Sequence, residues 1–397
     1  MITKLLKYIT AVLCMTFVVM VAARADTIKI GAVAPKTGPL AGGAAVSHWP
    51  NIQLWSETVN ANGGIKIKGK MYKVEIIEYD DQTNPGETVK AVQRLINQDK
   101  VDFIIAPYGT GLNLAAGPIL NKYGYPQIAV TAISDKGPEL AGRWTNSFWM
   151  LGSSTAFASS VADALKSLRD AGQIGNRVAM VNVGDAFGIE LANAGRPALK
   201  AAGFEIVYDA SYPIGTQDLS PVIKAAKDTK PDAFVAWSYP PDTFALTAQA
   251  KVAGLGVKAF YTGVGTSFPV YLEKFGDTAN GVLGAGGVNP NTPAMKAYRE
   301  AHKRVTGKEA DYWASAVTYA SLEILQQAIE GADTMDRKKV IDYIKNNTFD
   351  TVIGQVDLHD QINHKYWTVG QWQNGEFYGV ESTGMSGAKK PQAKTSW

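Results

Sequence analysis

The sequence predicts an α/β protein built from two doubly wound parallel-sheet lobes. Short β-rich runs alternate with helix-period runs at the spacing of strand–helix–strand units. The rhythm restarts near residue 150, which implies two similar lobes. The last third carries helices with few strands between them, so it must pack back on one or both lobes.

Residues 27–33 read as the first strand. A helical pattern with Ile52, Leu54, Trp55 and Val59 follows. It stops at Asn62-Gly63-Gly64, because glycine takes the left-handed position after a helix. Pro50 belongs in that helix's first turn, since further inside it would break a backbone bond. Residues 73–79 form the second strand, and Asn84-Pro85 opens a helix with Val89, Val92 and Ile96 on one face. Residues 101–107 are a continuous apolar run, as a strand covered on both faces requires. A helix over 112–123 leads to a strand over 127–130.

The second half repeats the pattern. Helices over 157–171, 190–202, 219–227 and 243–253 alternate with strands over 177–183, 204–212, 233–237 and 258–261. Three helices follow, over 293–305, 312–330 and 337–347. Residues 366–377, centred on Asn374-Gly375, read as a hairpin. The segment from Gly384 onward is polar and Lys-rich and is expected to fray.

A chain of 397 residues is too long for one ordinary core, and 46% hydrophobic with 19% charged residues is a globular composition. Lys4, Lys7 and Arg24 are three of its 39 basic residues, and residues 1–25 hold no acidic one. The remainder carries 36 basic against 36 acidic residues. Such balance argues against a nucleic-acid partner and against a polybasic membrane patch. Residues 1–25 read as a secretory signal: Lys4 and Lys7, an apolar run over 9–22, then Ala23-Arg24-Ala25 before Asp26. That run is shorter than the ~20 residues of a spanning helix. The single cysteine, Cys14, lies inside it, and Val12-Leu13 fit a lipid-anchor site poorly. The mature chain then lacks disulfides, thiolate nucleophiles and cysteine metal sites. No cofactor is expected.

Open parallel sheets bind ligands beyond the carboxyl ends of their strands. After the apolar run over 101–107 comes Tyr108-Gly109-Thr110-Gly111, and a helix starts just beyond. A helix N-terminus offers free N–H groups and partial positive charge; glycines let that backbone approach, and Thr110 adds a hydroxyl. This is a carboxylate cradle, with plain helix capping as the competing reading. Read as a dinucleotide fingerprint it fails: position 114 is Leu, and no acidic residue lies near 129. Trp237, Trp49, Tyr108 and Phe268 fall near strand ends or loops on the same side, where aromatics supply apolar walls. His48 lies beside Trp49 and could touch a ligand or only pack. Asp357, His359, Asp360 and His364 have metal-like composition, but their spacing suits a polar loop better. Asp80-Asp81 suits capping of the turn into Pro85 better than an acid–base dyad. No nucleophile elbow or Walker loop occurs.

Several stretches in order carry a resemblance: Ile28-Lys29-Ile30-Gly31, Thr37-Gly38-Pro39-Leu40, Val59-Asn60-Ala61-Asn62-Gly63-Gly64-Ile65, Asp80-Asp81-Gln82-Thr83-Asn84-Pro85, Gly184-Asp185-Ala186-Phe187-Gly188, and residues 312–325. Over residues 27–380 the chain resembles the periplasmic binding proteins of ABC importers, of the leucine/isoleucine/valine (hydrophobic amino acid and amide) type. The resemblance implies a type I fold, two lobes joined by a three-crossing hinge and closing on a ligand. Lobe 1 would be 26–152 plus 287–360, lobe 2 would be 153–286 plus 361–383, and 384–397 a polar tail. It also implies that Thr110, with Thr131, Ala132 and Ser134 after the next strand, holds a ligand carboxylate. Phe187 and Tyr239 fall where the family has ligand-contacting aromatics. Two departures stand out. The family's amino-acid binders carry an acidic residue where this chain has Thr262, and the family's tyrosine near Gly43 is absent. A buried ammonium without a carboxylate partner is costly. The expected ligand is a small carboxylate: a branched-chain or hydrophobic amino acid or, favoured by these departures, an aromatic or branched acid or an amide that lacks an α-amino group or holds it differently.

The resulting expectation is a periplasmic, monomeric solute receptor that is not an enzyme. Its partners would be a small carboxylate and the permease and ATPase subunits of an inner-membrane importer. A ligand sensor for a signalling receptor is the alternative within binding proteins, distinguished by neighbouring genes. A secreted enzyme is the alternative of another class, distinguished by turnover of the ligand.

Overall fold

The structure, a computed structural model, describes residues 27–397. The expected signal over 1–25, with Cys14, lies outside the described residues. The elements run β1 (Thr27–Ala34), α1 (Ala41–Ser47), α2 (Trp49–Ala61), β2 (Ile65–Ile67), β3 (Lys70–Asp80), α3 (Pro85–Arg94), β4 (Phe103–Ile105), α4 (Thr110–Lys122), β5 (Gln127–Ala129), α5 (Gly137–Arg143) and β6 (Ser147–Trp149). Next come α6 (Ser154–Asp170), β7 (Arg177–Val183), α7 (Ala186–Ala201), β8 (Glu205–Tyr212), α8 (Ser220–Asp228), β9 (Ala233–Trp237), α9 (Pro240–Ala253), β10 (Ala259–Thr262), α10 (Pro269–Phe275) and β11 (Leu283–Ala285). The chain ends with α11 (Pro293–Thr306), α12 (Ala314–Ala332), α13 (Arg337–Asn346), β12 (Thr348–Thr351), β13 (Gly354–Asp357), β14 (Tyr366–Gln373) and β15 (Glu376–Thr383).

Two main sheets result. The first has the order β2-β3-β1-β4, with β1 parallel to both β3 and β4. The parallel pair β5–β6 continues beside β4. The second has the order β15-β14-β11-β10-β9-β7-β8, parallel from β8 to β11 and antiparallel at β14 and β15. Strands β1, β4, β7 and β9 are buried along most of their length, which explains their unbroken apolar runs. In the first sheet, the chain leaves β1 toward β3 on one side and returns to β4 on the other. In the second it leaves β7 toward β8 and returns to β9. The switch points are thus β1/β4 and β7/β9, where doubly wound sheets open a crevice.

Several local expectations are met for the reasons given. Pro50 sits in the first turn of α2. Asn84 caps α3 by accepting from the N–H groups of Gly86 and Glu87. Asp80 accepts from Lys36 N–H and Gln82 N–H at 2.8 Å, and from the Thr37 hydroxyl at 2.6 Å, so it ties the turn after β1 to the end of β3. Burial acts to raise its pKa, but these donors outweigh burial and leave it below its ordinary value. Asn374 and Gly375 both have positive φ and close the β14–β15 hairpin, which extends to Thr383.

The last third packs back on both sheets, as expected, and departs from expectation only at its end. α11 and α12 pack on α2 of the first sheet, where the Trp55 indole N–H donates to Gln326 at 3.2 Å. β11 and the hairpin add three strands to the second sheet. The chain passes between the sheets at 150–153, 286–292 and 358–365. The first and third passages are bonded to one another: Trp149 N–H donates to Gln361 O at 2.8 Å, and Asn363 N–H to Trp149 O at 2.9 Å. The segment from Gly384 does not fray. Its Lys394 is buried, Lys394 N–H donates to Lys258 O at 2.7 Å, and Trp397 packs edge-on against Phe260. The reason is the final tryptophan, which buries apolar area that a purely polar tail lacks.

Candidate ligand-binding cleft

The loops after β1, β4 and β5 of the first sheet face the loops after β7, β8 and β9 of the second. Gly109 caps α4 with φ +92°, a conformation that side-chain-bearing residues rarely adopt. A Cβ there would lie 3.3 Å from Leu40 and 3.8 Å from the Tyr239 hydroxyl of the opposite sheet. Gly109 N–H donates to the Thr131 hydroxyl at 3.0 Å. The buried Thr110 hydroxyl accepts from Ile133 N–H at 3.1 Å and donates to Ile133 O at 3.3 Å. Thr110 and Thr131 thereby pin the β4 and β5 loops together. The first-turn N–H groups of α4 have no intrahelical acceptor and carry the positive end of the helix dipole. Gly111 stands against Ala186, at the start of α7, where its Cβ would be 4.0 Å from that residue's. Two helix N-termini therefore converge here.

Tyr108 is buried, and burial with the nearby Asp311 raises its phenol above the ordinary value. Its hydroxyl occupies the space over Gly43: a Cβ on Gly43 would come within 2.3 Å of it. Tyr108 of the β4 loop thus fills the space beside Gly43.

On the other side, Phe187 stacks on Tyr239 with centroids 4.7 Å apart. The Tyr239 phenol donates to Asp185 at 3.1 Å, and Asp185 caps α7 through Gly188 N–H at 2.9 Å. Burial raises the Asp185 carboxyl, opposed by these two bonds. Asp242 accepts from Tyr239 N–H and from the Tyr212 phenol, and burial pushes it up to about 6. A cavity of about 370 Å³ opens between Gly38, Pro39, Leu40 and Gly42 on one side and Thr216, Gln217, Tyr239 and Asp242 on the other.

The remaining expected site residues are engaged elsewhere. Ala132 is fully buried. Ser134 donates to Glu190 of α7 at 3.0 Å, beside a bond from Asp135 N–H, so these groups bridge the two sheets. The buried Thr262 hydroxyl pairs with Thr266 at 2.7 Å. Trp49 donates to Pro35 O at 3.1 Å under the Lys36 ammonium. His359 pairs with Asp357 and His364 with Asp360 at 2.6 Å, all exposed. Among the described residues, no group of three or more His, Cys, Asp or Glu side chains converges to hold a metal. Sequence reasoning missed the roles of Asp185 and Glu190. Asp185 was visible as a cap, three residues before Gly188; Glu190 carries no local signal, because its partner is 56 residues away.

Two α/β units with facing switch points, joined by three passages, define the class of two-lobed solute-binding proteins. The chain belongs to the periplasmic binding protein family, whose profile matches residues 27–376. It is 27% identical over 369 residues to the Leu/Ile/Val-binding protein homolog 3 of Brucella melitensis, covering 91% of this chain and 95% of that one. It is 26% identical over 352 residues to the Leu/Ile/Val-binding protein of Escherichia coli, covering 88% and 91%. Among solved structures, a leucine-binding protein from Thermotoga maritima superposes with a TM-score of 0.76 at 22% identity, covering 90% of this chain and 99% of that one. A solute-binding protein of an ABC transporter from Rhodopseudomonas palustris, in complex with 3,4-dihydroxybenzoic acid, gives 0.76 at 22% identity, covering 92% and 99%. The fold is that of the type I periplasmic binding proteins.

Proposed function

We propose that the mature chain is the periplasmic receptor of an ABC importer and captures a small carboxylate between its lobes. The observation that carries this reading is the meeting of the α4 N-terminus at Gly109–Gly111 with the Phe187–Tyr239 stack of the opposite sheet. The first offers N–H groups to an acid; the second offers an apolar lid. Lobe 1 (26–152 plus 287–360) and lobe 2 (153–286 plus 361–383) hinge about the three passages. The acid docks on lobe 1, and lobe 2 then covers it and expels water. The ligand favours closure only through contacts made in the closed form. The closed form docks on permease subunits served by an ATPase. Export follows from the signal over residues 1–25.

The ligand is an aromatic or branched acid, or an amide, rather than a free α-amino acid. Thr262 stands where an ammonium partner would be, and its hydroxyl is already paired with Thr266. Asp185 is shared between Tyr239 and the α7 cap. Calorimetric titration with benzoate, branched aliphatic acids, leucine and valine tests both levels. One-to-one binding of an acid, weakened at least tenfold in Gly109→Val, is expected. The absence of binding by every acid and amino acid overturns the receptor reading. Leucine binding more tightly than the acids overturns the ligand class alone.

A further inference from the structure

We propose that the cavity between residues 38–42 and 214–217 is a tail subsite of this cleft, and that the captured acid carries an apolar chain extending away from its carboxylate. The inference rests on the receptor reading and deepens it by naming the length and chemistry of the ligand's far end.

The cavity adjoins the cradle. Leu40 and Tyr239 both line it, and the same two side chains bound the space at Gly109, where a Cβ would lie 3.3 Å from Leu40 and 3.8 Å from the Tyr239 hydroxyl. A ligand held at the α4 N-terminus therefore needs to pass only those two side chains to reach it. At about 370 Å³ the space falls within the size range of small-molecule sites. Its rim is closed by both sheets: a Cβ on Gly215, from the loop after β8, would be 3.7 Å from Pro39, from the loop after β1. The β8 loop is held in shape from behind. Gln249 of α9 donates to Gln217 O at 2.9 Å and accepts from Leu219 N–H at 2.7 Å. A loop fixed in this way loses little freedom when a ligand fills the space beside it.

The chemistry of the occupant follows from what the walls leave over. The polar side chains of the lining are engaged within the protein. The Thr216 hydroxyl donates to Pro213 O at 2.6 Å, and the Gln217 amide donates to Gly215 O at 3.2 Å. Asp242 accepts from the Tyr212 phenol and from Tyr239 N–H. Pro39, Leu40 and Ile214 contribute apolar surface that no such bond occupies. Ile214 is 37% exposed, which is unusual for a large apolar side chain among the described residues. Covering that surface favours methylenes or a ring over a second charged group, whose hydration nothing here replaces.

The test titrates the mature protein with two series: benzoate, phenylacetate, phenylpropanoate and phenylbutanoate, and butanoate, hexanoate and octanoate. Wild type is expected to gain about fourfold in affinity for each methylene that enters the cavity, in at least one series. Two variants narrow or strip the subsite from opposite sides. Gly42 lines the cavity, and a Cβ on it would meet no atom within 4 Å, so Gly42→Leu fills the space without a clash. It should cut the affinity ratio of longest to shortest acid at least tenfold. Ile214→Ser, at an exposed position, should lower the same ratio by a smaller factor. A readout that needs no variant is the Overhauser contact between the phenyl ring of phenylbutanoate and the methyls of Leu40 and Ile214, expected at saturation. The proposal is overturned if affinity does not rise with length in either series, if Gly42→Leu keeps the wild-type ratio, or if saturating phenylbutanoate shows no contact with either methyl-bearing residue. Failure of every acid to bind is a different result and removes the receptor reading itself.

Discussion

Thr110 and His48 show how differently two buried polar side chains can be satisfied. The Thr110 hydroxyl both accepts from and donates to Ile133, so the protein itself holds the loop after β4 in place. His48 has no such partner, and burial lowers its pKa from 6.5 to about 3. The unfolded chain takes up this proton near 6.5, whereas the folded chain resists it down to about 3. The unfolded state therefore binds more protons in that window, and stability falls as pH falls through it, at up to about 1.4 kcal/mol per pH unit. Asp242 and Glu323, whose carboxyls are raised by burial, act in the opposite sense, so the comparison must be made against a variant. Denaturant unfolding between pH 6 and pH 4 should show a shallower loss of stability in His48→Leu than in wild type. Identical slopes would contradict the assignment. The bonding of Thr110 to Ile133 was not legible in the sequence, because it joins loops 23 residues apart. Nor was the orphaned state of His48, since it depends on Tyr108 arriving from 60 residues away.

At the scale of elements, the parallel strands and most helices were readable because their signals are local. Apolar runs marked β4, β7 and β9, and Asn374-Gly375 marked the hairpin. Elements whose stability comes from distant partners were missed. Strands β6 and β11 are three residues each, too short for periodicity to show pairing. The tail was misread because its composition is polar, while its position is set by few contacts. Lys394 Nζ donates to Thr278 O, and the Trp397 indole N–H donates to Val257 O at 3.1 Å. Burial, with Lys251 nearby, lowers Lys394 to about 8. Removing residues 389–397 exposes Phe260 and the flank of the second sheet. The expected cost is about 2–4 kcal/mol, read as a fall of several degrees in melting temperature. Ligand affinity should be unchanged, because the tail sits at Lys258, the end of β10 opposite the cleft. A variant melting like the full chain would show that the tail is not docked.

For the molecule as a whole, the two switch points and the three passages turn separate loop chemistries into one site. The described state is closed: Tyr239 reaches Gly109, Gly111 meets Ala186, and Ser134 is bonded to Glu190 across the sheets. None of these contacts survives separation of the lobes, so an open form loses them and gains water at the cradle. Order and spacing of weak motifs made the two-lobed plan legible, whereas the cross-cleft bonds depend on closure and left no trace in sequence. Small-angle X-ray scattering of the mature protein, with and without a saturating acid identified by titration, tests the central claim most directly. Closure about the hinge predicts a smaller radius of gyration and a shorter maximum dimension with ligand, at unchanged mass. Saturated binding with superimposable scattering curves would contradict it.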